Sequence, residues 1–172
     1  MRLRYLWFRL RNPHVVTRGI VWMARGVEIR CRRGLGHMEI GSEVWIGRGT
    51  AIRCHEGFLA IGDGVVFGGQ DTVNCYLNVE IGDDCIFADD VYVGDFDHRT
   101  DDLDAPIQRQ GIVKSPVRLG SDCWLGTKAV ILRGTTVGEG SVVGASAVVR
   151  GRFGARSIIV GNPGRVARTR TK

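Results

Sequence analysis

The sequence predicts an all-β chain wound as a parallel β-helix, with a loop protruding at about residues 94–118 and short segments at either end. Two observations carry this. Leu119, Leu125, Ile131, Val137, Val143 and Val149 recur every sixth residue without a break. Gly120, Gly126, Gly138 and Gly144 directly follow four of them, and small residues (Cys123, Ala129, Thr135, Ser141, Ala147) stand four places after the first five. Such a period matches neither a helix, at about 3.6 residues, nor a plain strand, at about 2; a fixed repeat marks a stacked architecture. Each hexad supplies a short strand and a corner, and three hexads close one triangular coil. The aliphatic residue faces inward, where burial stabilises by roughly 1.5–3 kcal/mol per side chain. Backbone groups pair between coils, so each coil chiefly contacts its neighbours.

The same register runs upstream through Ile40, Ile46 and Ile52, then Ile61, Phe67 and Val73, then Ile81, Phe87 and Val93. Extra residues near Phe58 and before Ile81 fall after the third hexad each time, so they should bulge along one edge of the prism. Phe67 and Phe87 share a column one coil apart and are expected to stack inside. Val27-Glu28-Ile29 reads as the start of an irregular first coil, with Ile20-Val21-Trp22 as a strand before it. The expected organisation is a basic cap over 1–26, the β-helix over 27–166 and a basic tail over 167–172.

Charge is uneven. Residues 1–33 hold nine Arg and one Glu, residues 150–172 hold six Arg and one Lys with no acid, and the middle is acidic, within a net charge of +6. The opening stretch, Met1 to Arg11, has apolar runs too short for a signal-peptide core or a membrane span. As a helix it presents Leu3, Leu6, Trp7 and Leu10 on one face. That face suits either a cap on the open end of the solenoid or peripheral contact of residues 1–12 with anionic lipid. No nucleic-acid-binding motif accompanies the arginines. The five cysteines form no CxxC pair and are odd in number, which predicts buried thiols in a reducing cytoplasm rather than a disulfide framework or a zinc site.

After Val93 the next hexad begins only at Leu119. Long loops in compact domains tend to be functional, and solenoid insertions often map to the binding face. This loop carries His98 among Asp95, Asp97, Asp101 and Asp102. Imidazole titrates near neutrality, and an adjacent carboxylate can orient it. His98 is therefore the candidate general base, with Asp95 and Asp97 as candidate partners. His14, His37 and His55 are not clustered; His37 and His55 have one-coil spacing and are candidates to stack on each other.

The repeat, the loop and its Pro106-Ile107, Gln110-Gly111 and Pro116 run together resemble the hexapeptide-repeat acyltransferases, in particular the sugar O-acetyltransferases. The resemblance implies a left-handed coil, against the usual right-handed crossover preference. It also implies acyl transfer from acetyl-CoA to a hydroxyl of a sugar or glycan, in a cytoplasmic homotrimer, with His98 at the position of the catalytic histidine. Trp124, Gly126, Thr127, Ala145 and Arg165 match positions that line the coenzyme A groove in that family, where backbone N–H groups near Gly126 are candidate oxyanion donors, and Arg150 is a candidate to supply charge to the coenzyme A phosphates. Arg150 stands where a polar Thr or Ser is usual. Gln70 and Asn74 stand where acceptor-binding amides occur. No metal is expected: the γ-class carbonic anhydrases share this fold but need three converging histidines. Two alternatives remain at this point, N-acetylation of an amino sugar and a non-catalytic solenoid scaffold.

Overall fold

The computed structural model describes residues 2–171. Among the described residues a single α-helix, Arg2–Arg11, precedes three stacked β-faces. The first face stacks Val16–Thr17, Gly36–Ile40, Gly57–Ile61, Asn78–Ile81, Val117–Leu119, Thr136–Val137 and Arg152–Phe153. The second stacks Val21–Met23, Val44–Ile46, Val66–Phe67, Ile86–Phe87, Trp124–Leu125, Val142–Val143 and Ser157–Val160. The third stacks Glu28–Cys31, Ala51–Cys54, Thr72–Cys75, Tyr92–Gly94, Val130–Ile131 and Val148–Val149. Pairing within each face is parallel, and about six turns result. The last strand, Arg165–Thr169, folds back antiparallel onto Ser157–Val160 and covers that end of the second face.

The sixth-residue columns are the core. On the third face Ile29, Ile52, Val73, Val93, Ile131 and Val149 lie in register, all buried. Phe67 and Phe87 pack with ring centroids 4.6 Å apart on the second face. Corners approach closely: a Cβ added to Gly47 would overlap the Gly68 carbonyl of the next coil. Cys54, Cys75, Cys85 and Cys123 are buried free thiols, and Cys31 is partly buried. Cys31, Cys54 and Cys75 share one register column.

Several boundaries differ from those expected. Coiling begins before residue 27, because Val16–Thr17 and Val21–Met23 already pair into the first and second faces. Val21 and Met23 point inward two residues apart, a spacing that carries no hexad signal. The cap proper is the Arg2–Arg11 helix, and it docks through Tyr5 and Phe8, both buried. The Tyr5 hydroxyl lies 3.0 Å from Thr17 Oγ1 and donates to the Gly19 carbonyl. Leu3, Leu6, Trp7 and Leu10 do not cap the coil; they point outward. The tail expected from 167 begins inside the Arg165–Thr169 strand. His37 stacks on Phe58, and His55 on Tyr76, instead of on each other. The corner insertion separates the two histidines: His37 registers with Phe58, while His55 lies at the corner between the Ala51–Cys54 and Gly57–Ile61 strands.

The insertions do share one edge, between the third and first faces, and the long loop leaves from it too. Gly94 and Val117–Leu119 belong to the wall, so the excursion runs over residues 95–116. It is an antiparallel hairpin, Phe96–His98 against Ile112–Lys114, with a 3₁₀ turn at Ile107–Arg109.

Candidate functional site

The hairpin is fastened to the solenoid at its root. Asp95 is fully buried. Its Oδ1 accepts the Tyr76 N–H at 2.8 Å, and its Oδ2 accepts those of Leu77 and Asn78 at 2.7 and 2.8 Å. A carboxylate at a bend of exposed amides satisfies donors that the coil corner leaves without partners. Asp95 thus holds the preceding corner. Phe96 packs against Tyr76, 4.4 Å between centroids, and Tyr76 stacks on His55 at the same distance. The rings form a column along the edge that ends at His98, set edge-on to Phe96 at 6.4 Å. Lys114, opposite Phe96 in the hairpin, pairs with Glu56. Arg133 reaches from the wall to Asp97, Nε to Oδ2 2.5 Å.

The acids near His98 therefore have other partners. Besides Asp95 and Asp97, Asp101 pairs with Arg99 and Asp102 accepts the Asp104 N–H. Among the described residues no carboxylate pairs with the ring, because Asp95 and Asp97 tie the hairpin to the wall and Asp101 and Asp102 serve the hairpin itself. The tip is closed by Gln110, whose amide accepts from Asp102 N and donates to the Asp102 and Ala105 carbonyls. His98 stands exposed at the end of this braced strand.

Asn74 lies on the third face in register with Gly94, where the hairpin departs. Beside both is Tyr92, which the sequence reading did not single out. Its hydroxyl occupies the space a side chain at position 94 would take. Burial pushes the Tyr92 phenol above its usual range; the Asn74 side chain's hydrogen bond opposes this, and the Asp97 and Asp95 carboxylates add to the rise. A glycine following an outward tyrosine was the available signal. Gln70 is exposed at the opposite end of that strand, at the corner with the second face, with its amide against Gly49.

Trp124 is half-exposed on the outside of the second face. Gly126 and Thr127 form the next corner, and Ala145 stacks one coil beyond, with the Ser146 N–H donating to the Thr127 carbonyl. Arg165 continues this corner from the antiparallel last strand, opposite Val160. Arg150 is apart from them, exposed at the corner between third and first faces, one coil beyond Leu132. Two groups result. Trp124, Gly126, Thr127, Ala145 and Arg165 gather at the second-to-third corner. His98, Asp95, Asp97, Asn74 and Arg150 gather at the third-to-first edge. The third face separates them on one chain.

The three-sided coil of hexads is a hexapeptide-repeat solenoid, and its coil is left-handed. The bacterial transferase hexapeptide family (six repeats) matches residues 116–151. A protein of Mycobacterium tuberculosis named a probable acetyltransferase is 52% identical over 97% of this chain and 56% of its own length. WbbJ of Escherichia coli, named for O-acetyl transfer in lipopolysaccharide biosynthesis, is 33% identical over 62% of each. The chain thus spans less than two thirds of these curated relatives. Among solved structures, AntD, an N-acyltransferase from Bacillus cereus crystallised with dTDP and coenzyme A, superposes with a TM-score of 0.79 at 20% identity, over 95% of this chain and 89% of that one. A maltose O-acetyltransferase from Clostridium difficile gives 0.54 at 24% identity, over 91% and 72%. At such identities the likeness shows the fold alone.

Proposed function

We propose that this chain is an acetyl-CoA-dependent O-acetyltransferase acting on a hydroxyl of a sugar or glycan in the cytoplasm, with His98 as general base. The observation that carries this is the braced hairpin: four separate attachments place one imidazole at the solenoid edge. The names of the curated relatives support acyl transfer, and that of WbbJ supports a hydroxyl acceptor.

The chemistry is brief. The neutral imidazole of His98 takes the proton of the acceptor hydroxyl as its oxygen attacks the thioester carbonyl. The tetrahedral intermediate collapses, the C–S bond breaks, and the imidazolium returns its proton to the departing thiolate. Backbone N–H groups near Gly126, other than its own, which donates to the Val143 carbonyl, stabilise the oxyanion that develops on the thioester carbonyl oxygen. Asn74 and Gln70 hold the acceptor. Asp97 acts through the hairpin, and Asp95 through its root. Trp124, Thr127, Ala145 and Arg165 line the coenzyme A path, and Arg150 supplies charge at the other edge.

The two groups of residues lie one face apart, so the proposed active form is a homotrimer in which the hairpin of one protomer faces the coenzyme corner of its neighbour. Sedimentation tests this: a fully active monomer would contradict it. His98→Ala should lower turnover by orders of magnitude, about 10²-fold or more, while coenzyme A binding by calorimetry stays unchanged. Thiol release from acetyl-CoA across a panel of sugars and amino sugars tests the acceptor. Turnover with amines only would replace O-transfer by N-transfer, and no binding of coenzyme A would leave a scaffold.

A further inference from the structure

We infer that the Arg2–Arg11 helix lies flat on an anionic lipid bilayer and carries the N-terminal end of the β-helix against the membrane. The helix has two apolar faces. Tyr5 and Phe8 are spent on the first coil, while Leu3, Leu6, Trp7 and Leu10 are 82, 57, 57 and 81% exposed. At about 3.6 residues per turn the exposed set centres on the side opposite Tyr5 and Phe8. Arg11 falls along one flank of that apolar strip, beside Arg4, whose Nη1 donates to the Met23 carbonyl at 3.2 Å, and Arg9 falls along the other, all exposed. Arg11 sits over the Trp7 ring at 3.5 Å. An apolar strip between cationic rows is the arrangement of a helix seated in the headgroup region, with leucines in the acyl boundary and guanidinium groups at the phosphates.

Charge selects this occupant over a second copy. Residues 1–27 contain no acidic residue, and Glu28 is held by Arg53 and Arg30. Apposing two such helices would set arginines against arginines with no carboxylate between them. A bilayer bearing phosphatidylglycerol offers both an apolar phase and the opposite charge. Basic groups continue beyond the helix: Arg25, Arg32 and Arg33 are exposed on the first coil, while Arg18 and Arg30 are paired with Glu39 and Glu28. No described helix is long and apolar enough to cross a membrane. None of this depends on acyl transfer.

Vesicle co-sedimentation tests it on the full chain, with vesicles of phosphatidylcholine alone and of phosphatidylcholine mixed with phosphatidylglycerol. The wild type should pellet with the mixed vesicles at low salt and be released as salt rises. Leu3→Ser/Leu10→Ser should weaken pelleting by roughly tenfold or more, with its melting temperature unchanged because Tyr5 and Phe8 still dock the helix. Arg9→Gln/Arg11→Gln should weaken it and flatten the salt dependence. Equal pelleting of the leucine variant and wild type would overturn the inference, as would no preference for anionic vesicles. A leucine variant that changes the oligomeric state without vesicles would assign the face to a second copy instead.

Discussion

Arg133 Nε donates to Asp97 Oδ2 at 2.5 Å, and the two residues are 36 positions apart in the chain. The arginine leaves the wall one coil beyond the hairpin; the aspartate precedes His98. With the arginine only 18% exposed, the pair is a strut between the rigid stack and the strand that carries the imidazole. Removing Arg133 frees that strand to shift, and a displacement of about 1 Å in a catalytic group can cost about 10²-fold in rate. Arg133→Ala should therefore lower turnover by about tenfold to a hundredfold while coenzyme A affinity stays within about twofold. Asp97→Asn should fall between it and wild type. Steady-state kinetics beside calorimetric binding make the check. Unchanged turnover would mean that the strut does not position His98.

Asp95 makes a different prediction, because its three acceptor contacts are all to backbone. Asp95→Ala strands the N–H groups of Tyr76, Leu77 and Asn78. Hydrogen bonds to charged groups contribute roughly 1.5–3 kcal/mol each and are not additive. The variant should lose about 3 kcal/mol or more of stability, read as a lower urea midpoint. Asp95→Asn, with one acceptor oxygen left, should lose less. A midpoint equal to wild type would show that water satisfies the corner.

How much of this was legible follows from where each signal sits. The columns from Leu119 to Val149 could be read directly, since an inward position every sixth residue leaves a local trace. Phe67 against Phe87 followed by counting one coil. The partners of Asp95 and Asp97 left no trace: one meets amides, which every residue has, and the other meets an arginine a coil away. The helix was half legible. Its periodicity showed Leu3, Leu6, Trp7 and Leu10 on one side, but not that Tyr5 and Phe8 would be the side that docks. The first coil was half legible: Ile20-Val21-Trp22 reads as a strand and the structure has one at Val21–Met23, but Val16–Thr17 left no signal because it precedes any regular glycine spacing. The resemblance put the coenzyme-corner residues together by family position; the fold adds that Arg150 stands at another edge.

The corners impose a test that separates backbone crowding from glycine loss. At Gly47 an added methyl meets the carbonyl of Gly68, whereas around Gly154 nothing lies within 4 Å of it. Neither position has positive φ, so both substitutions are free of that strain. Gly47→Ala forces two coils apart and should cost about 1–3 kcal/mol or more. Gly154→Ala should stay within about 0.5 kcal/mol of wild type. Thermal melts of the two variants side by side decide it. Equal stabilities would mean that the coils shift apart at little cost.

Asp71 gives the stack a pH dependence. It is fully buried in the small-residue position behind Phe67; Oδ1 accepts the Val91 N–H at 2.8 Å, and Oδ2 has no partner among the described residues. Burial pushes its carboxyl up to about 7, with the Val91 and Gly68 N–H groups pulling the other way and Asp89 and Asp90 adding to the rise. The folded chain therefore holds this proton more tightly than the unfolded chain, where an aspartate titrates near 3.9. The stabilising contribution is full below about pH 4 and is lost as pH rises through about 7. Other carboxylates with the opposite linkage can mask it, so the readout is a difference. The melting temperature of wild type minus that of Asp71→Asn should fall between about pH 4 and pH 7 and then level off. A difference that stays flat or rises across that window would show that Asp71 is ionised in the folded chain.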